Sequence, residues 1–108
     1  MAYDEALAAR IRTVLADVPV VEKKAFGGLA FLVGGNMAIS ASGQGGAMVR
    51  CDPAATASLL EPGVTRMEMR GKQLNGWLHL ADSAVAADAD LARWAGVGVA
   101  YARSLPPK

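Results

Sequence analysis

The spacing of hydrophobic and polar positions changes several times along this chain, and each spacing predicts an element. In residues 4–17, Leu7, Ile11, Val14 and Leu15 recur at helical intervals while Arg10, Arg12 and Asp17 fall on the other side, so an amphipathic helix is expected, ended by Pro19. Residues 20–24 form either a short first strand or an extended lead-in. The 25 residues from 25 to 49 then carry no charged side chain at all. Two unlike structures produce such a run: a membrane span and a buried β-hairpin. A span needs about 20 consecutive, mostly apolar residues. Here the unbroken apolar run stops at Val33, Gly34-Gly35-Asn36 follows, and Ser40, Ser42, Gln44 and three more glycines at 43, 45 and 46 dilute the rest. Each glycine would cost a helix about 1 kcal/mol relative to alanine. As strands the segment is coherent. Leu29, Phe31 and Val33 share one face and Ala30 and Leu32 the other. Gly34, Gly35 and Asn36 supply the positive-φ residues of a tight turn, residues 37–41 return, and residues 42–46 turn again.

Residues 46–51 read as another strand, with Met48 and Val49 on opposite faces. Asp52-Pro53 marks a helix start, because Asp caps backbone N–H groups and Pro loses no useful donor at the first helical position. The helix it predicts, residues 53–60, is stopped by Glu61-Pro62-Gly63. Residues 65–70 alternate, Thr65, Met67 and Met69 facing one way and Arg66, Glu68 and Arg70 the other, which suits an antiparallel strand with one wet face. Residues 71–76 are expected as the turn, with Asn75-Gly76 as its positive-φ pair, and residues 77–81 as the returning strand. A last helix is expected over residues 88–104, capped by Asp88 or Asp90 and burying Leu91, Trp94, Ala95, Gly98, Ala102 and Leu105. The order α-β-β-β-α-β-β-α predicts an α+β fold: a two-layer domain in which helices pack on one face of an antiparallel five-stranded sheet.

Composition narrows the setting. A chain of 108 residues, 53% hydrophobic, builds one core, so residues 1–108 are read as a single domain with residues 104–108 as a frayed tail. A net charge of +1 gives no global attraction to nucleic acid, anionic membrane or acidic substrates. One cysteine excludes an intramolecular disulfide framework, and the N-terminus lacks the basic and apolar blocks of a signal peptide. A cytoplasmic protein without membrane association is expected.

Candidate chemistry is sparse. Cys51 precedes a helix start, where a thiol can be activated, but its neighbour Asp52 opposes a thiolate and no second cysteine exists to resolve an oxidised form. His79, the only histidine, has no Cys, Asp or Glu at ligand spacing and no orienting acid. The paired glycines at 27–28 and 34–35 are not followed by a helix that could hold a phosphate. Hence no catalytic residue, metal site or cofactor is expected. Two surfaces remain. Lys23, Lys24, Arg50, Arg66, Arg70 and Lys72 would gather on one wet face if their strands adjoin, and would there contact phosphates or an acidic protein, with Glu22 and Glu68 diluting the charge. Ala92, Gly96 and Ala100 form a stripe of small side chains on the last helix, for close packing on this chain's own layers or for a homodimer.

The segment Phe26-Gly27-Gly28-Leu29-Ala30-Phe31-Leu32-Val33 resembles the Met-Phe-Gly-Gly block of the TfoX/Sxy N-terminal domain, with Ala25 where that pattern has Met. Further blocks are similar and in the same order: Met48-Val49-Arg50, the stretch Arg70-Gly71-Lys72-Gln73-Leu74-Asn75-Gly76-Trp77, Leu91 with Trp94, and the ending Ser104-Leu105-Pro106-Pro107-Lys108. The resemblance implies two layers, helices on an antiparallel five-stranded sheet, and supplies no catalytic residues. Named members of the family are regulators of natural competence, thought to act as coactivators beside the cyclic AMP receptor protein, and they carry a second, helical C-terminal domain. This chain is expected to be a free-standing N-terminal domain. The function implied is a non-catalytic regulatory or protein-interaction module, with transcription machinery as the candidate partner. Alternatives are nucleic-acid binding through the basic strand face, and small-molecule binding or an enzymatic role in a groove between helices and sheet.

Overall fold

Asp4 opens the chain's first element because its carboxylate accepts the N–H groups of Ala6 and Leu7, at 2.9 and 3.1 Å. A computed structural model describes residues 3–25 and 27–107, with Met69 described in its backbone alone. Helix α1 covers Glu5–Val14 and buries Leu7, Ala8 and Ile11. It ends short of residue 17: Leu15 is its C-cap, and Val18 N–H bonds back to Leu15 as the chain turns ahead of Pro19.

Six strands follow: β1 (Val21–Ala25), β2 (Gly28–Val33), β3 (Asn36–Ala41), β4 (Ala47–Arg50), β5 (Val64–Met69) and β6 (Lys72–Leu80). They form one antiparallel sheet in the order β1-β2-β3-β4-β6-β5. The sixth strand is the extended lead-in, which pairs with β2 from Val21↔Leu32 to Ala25↔Gly28. Lys23 and Lys24 stand exposed on it, charges that discourage a second chain from adding to this edge. The uncharged segment therefore supplies β2, β3 and most of β4. Among the described residues, no helix is long and apolar enough to cross a membrane.

Asp52 caps a 3₁₀ turn at Pro53–Ala55, accepting from Ala54 N at 2.8 Å, and helix α2 (Thr56–Leu59) continues it. Helix α3 occupies Asp88–Ser104, the span expected. Its N-cap, however, is Ala87, with no side-chain cap bond. Asp88 instead holds Arg10 of α1 at 3.0 Å, and Arg10 also donates to the carbonyls of Val85 and Ala86.

Helices α1 and α3 cover one face of the sheet, and Ile11, Phe31, Ile39, Leu78, Leu91 and Trp94 are fully buried between the layers. The closest approach has a definite cause. The β2–β3 register slips between Phe31↔Ile39 and Leu32↔Met37, which leaves Ala38 as an extra residue. Its carbonyl presses on α3 at Gly98, where a Cβ would lie only 2.1 Å from Ala38 O. The glycine in mid-helix is thus a packing requirement.

Two turns depart from expectation. Gly34 and Gly35 have φ of 60° and 83°, but Asn36 already belongs to β3, is 2% exposed, and its Nδ2 donates to Pro106 O at 3.0 Å. Pro106, within the segment expected to fray, thus accepts a bond from the start of β3; Lys108 lies outside the described residues. Between β5 and β6 the turn is Arg70-Gly71, with φ of 53° and 78°, the two positive values that a tight two-residue hairpin requires. Asn75-Gly76 is an irregularity inside β6 instead. Arg66 pairs with Leu78 but Met67 with Leu74, so Asn75, Gly76 and Trp77 are extra on β6. Three bonds pin them: Thr56 Oγ1 accepts from Gly76 N at 2.7 Å, Gly76 O accepts from Cys51 N at 2.9 Å, and Asn75 Oδ1 accepts from Arg66 Nε at 2.9 Å.

Candidate functional site

Strand alternation sends Leu29, Phe31 and Val33 towards the helices and leaves the other face to Ala30, Ser40 and Met48, which are aligned across β2, β3 and β4. That helix-free face is not flat. A groove of about 620 Å³ runs over it, with Ser40 and Met48 on its floor. The bulged part of β6 bends the β5–β6 hairpin across, so that Met67, Leu74 and Trp77 make one wall. The opposite wall is Ala25, Gly28 and Gly43. Glycine is needed here, since a Cβ on Gly28 would lie 2.2 Å from Ala41 O and one on Gly43 2.5 Å from Gly27 O. Small side chains on β1–β3 thus open the space that large ones on β4–β6 line.

Polar groups are few and placed apart. Gln44, Glu68 and Arg70 stand at the exposed rim. Ser42 Oγ accepts from Gln44 N at 3.1 Å. Ser40 is only 3% exposed and lines the groove, and its hydroxyl has no hydrogen-bond partner among the described residues. Its oxygen stays open to the groove, since the one fully buried side-chain atom without a partner among the described residues is Trp94 Nε1. The cost therefore arises only when a group closes over Ser40 without bonding to it.

The basic residues singled out in the sequence do not share one face. Lys23 and Lys24 lie opposite Ala30 and Leu29 on edge strand β1, pointing to alternate sides. Arg66 lies opposite Leu78, on the helix side, and is bonded to Asn75. Arg70 is the first residue of the hairpin turn at the far edge and Lys72 follows that turn, and of these Arg70 reaches the groove. Arg50 is opposite Trp77, its guanidinium carbon 5.2 Å from the Trp77 centroid and 5.5 Å from that of Tyr101 on α3. That contact holds the Trp77 wall in place. Ala92, Gly96 and Ala100 are exposed, and a Cβ on Gly96 would meet nothing within 4 Å. The stripe faces solvent; Gly98 is the residue that packs.

Cys51 is 1% exposed, and burial pushes its thiol above the usual range. The bond with Thr56 Oγ1 at 3.7 Å works the other way and the charge of Asp52 adds to the rise. His79 places Nε2 2.8 Å from Gly45 O and so ties β6 to the β3–β4 turn. Both residues are engaged in structure.

A family model described as the TfoX N-terminal domain matches residues 14–102 of the 108. The chain belongs to the TfoX N-terminal domain family. No curated protein and no solved structure gives a match. Three of the segments that resemble the TfoX N-terminal domain contribute to the groove, whereas Leu91 and Trp94 lie in the core on the helix side. Gly28 is in one wall (its neighbour Phe26 lies outside the described residues), Met48 is in the floor, and residues 70–77 form the hairpin turn and bulge of the other wall. The groove expected between helices and sheet is elsewhere, because Trp94, Leu91 and Ile11 fill that interlayer. Its position on the open face left one signal in the sequence: Met48 and Met67, large apolar side chains on strand faces that the helices do not claim.

Proposed function

We propose that this TfoX N-terminal domain is a non-catalytic regulatory module that binds a protein partner in the groove on the helix-free face of its sheet. One observation carries the reading: Met48, Met67, Leu74 and Trp77 line a concavity open to solvent, while helices seal the opposite face. Methionine-lined surfaces repack readily around a partner, and a tryptophan braced by Arg50 is a preorganised anchor. The buried thiol of Cys51 and the engaged ring of His79 support binding over chemistry. Membership of the family supports a regulatory role, with transcription machinery in the cytoplasm as the partner to seek. The test is capture from the source cytoplasm with tagged wild-type chain beside Trp77→Ala and Met67→Asp. Partners that both groove variants lose, while keeping a native amide spectrum, support the reading. Equal recovery by all three proteins overturns it. Duplex DNA binding that fades steeply with salt and is lost in Arg66→Ala/Arg70→Ala would favour a nucleic-acid partner instead.

A further inference from the structure

The groove has a chemical preference as well as a position, and the inference drawn from it rests on the docking reading above. Two buried hydroxyls line the groove: Ser42, whose Oγ accepts from Gln44 N, and Ser40, 3% exposed and without a partner among the described residues. Its walls are apolar down to that point. The lining carries one charge of each sign, Arg70 and Glu68, neither in an ion pair among the described residues, and Arg50, outside the lining and stacked on Trp77, adds a second cation nearby.

We infer that the partner segment enters with a tyrosine flanked by acidic residues, its phenol oxygen hydrogen-bonded to Ser40 Oγ and its acids facing Arg70. A phenol is apolar along its whole body and polar at its tip, which matches apolar walls over a hydroxyl floor. Phenylalanine or leucine would fill the walls but shut the Ser40 hydroxyl away from water with no partner, an unfavourable exchange. Lysine or arginine would bring a like charge past Arg70. A carboxylate side chain would place its charge on an uncharged floor and leave the walls unfilled. Tryptophan donates from the side of its ring, away from the tip. The thioethers of Met48 and Met67 add favourable contacts with an aromatic ring. A space of about 620 Å³ takes one such ring together with the stems of its neighbours.

Amide-spectrum titrations with short synthetic probes test this. The probes are acetyl-Asp-Glu-Tyr-Asp-Glu-amide, the same peptide with Phe for Tyr, a Tyr peptide flanked by lysines, and free p-cresol. With wild-type protein the acidic Tyr peptide should shift groove resonances saturably and bind about five- to tenfold tighter than its Phe counterpart. Ser40→Ala should erase that preference. Arg70→Gln should weaken both acidic peptides and flatten their salt dependence. Equal or tighter binding of the Phe peptide overturns the inference while leaving the docking reading intact, and so does equal binding of the lysine-flanked peptide. Saturation by p-cresol alone, without any peptide, overturns it in favour of a small-molecule site, and absence of binding by every probe overturns it outright. The Tyr-to-Phe comparison uses unmodified protein, so it stands even if Ser40→Ala does not fold. The docking reading falls separately, by partner capture that ignores Trp77→Ala and Met67→Asp.

Discussion

Gly96 and Gly98 sit two residues apart in α3, and the structure predicts that the same substitution will have opposite signs at the two sites. Both are helical, so alanine removes a conformational cost of about 1 kcal/mol at either position. At Gly96 nothing opposes that gain, since a Cβ there points into open space. At Gly98 the new methyl would lie 2.1 Å from Ala38 O and 2.7 Å from its carbonyl carbon. An ordinary carbon–oxygen approach is about 3.3 Å, so helix or strand must yield by about 1.2 Å. The obstructing atoms belong to the backbone of a bulged strand held in the middle of the sheet, and cannot rotate aside as a side chain would. Overpacking costs about 1–3 kcal/mol, and backbone obstruction belongs at the upper end. Gly98→Ala should therefore lose about 1–2 kcal/mol net, lowering Tm by roughly 5–15 °C, whereas Gly96→Ala should raise it by roughly 4–8 °C. Urea and thermal unfolding measure both, with an unchanged denaturant slope confirming that the same two states are compared. If Gly98→Ala proves as stabilising as Gly96→Ala, the account of α3 resting on the Ala38 bulge is wrong.

Two further outcomes follow from ionisable groups. Cys51 should resist Ellman's reagent in the native state and react at a rate that tracks unfolding, because it is buried and its thiol is held above the usual range. The unfolded chain gives up that proton first, so Cys51 should lower stability as pH rises above about 8.5, a slope that Cys51→Ala removes; prompt native labelling would contradict this. The Arg12 guanidinium grips Glu22 at 2.7 and 2.8 Å and holds its carboxyl below the usual carboxylate range. The stability this gives is present above about pH 4.3 and lost as pH falls below it. The acid slope should be small, because both side chains are partly exposed. It should shrink further in high salt and vanish in Glu22→Gln; an unchanged slope in that variant would show that the pair does not persist in solution.

Much of the fold was legible because local signals agreed with one another. Asp52-Pro53 announced its turn, Gly34-Gly35 announced theirs, and the apolar stripe of residues 88–104 set the last helix to its observed ends. Edge strand β1 was ambiguous, since four of its five residues are exposed, only Ala25 is half-buried, and no alternation of burial results. The Asp88 cap was misread because a carboxylate at a helix start serves equally as an ion-pair partner, and Arg10, 78 residues away in the chain, decides which. The tail offered no sign of Asn36 either, whose amide reaches it from 70 residues away.

The groove was harder to see for a reason particular to sheets. Alternation reveals which residues share a face but not which face is covered; pairing fixes that, and every bulge resets it. The set expected to be wet contains Arg66, which stands opposite fully buried Leu78, and Glu68, which lines the groove next to Met67 of the other set. The same strand turns Met67 into the groove, away from the helices. The setting residues are Asn75 and Gly76, which read in the sequence as the close of a hairpin turn, and Trp77, which reads as the start of the returning strand. Their role comes from Thr56 and Cys51, which bind Gly76 from outside the strand and hold the extra residues in place. Those two contacts connect the buried side of the domain to its open side. Cys51 and Thr56 contribute to the site without touching its space, by fixing the bulge that aims Trp77 into it. A surface made this way is rigid where it is glycine and strand backbone, and adaptable where methionine lines it. That combination suits the docking role proposed for the groove, in which one anchor side chain is recognised while its surroundings vary.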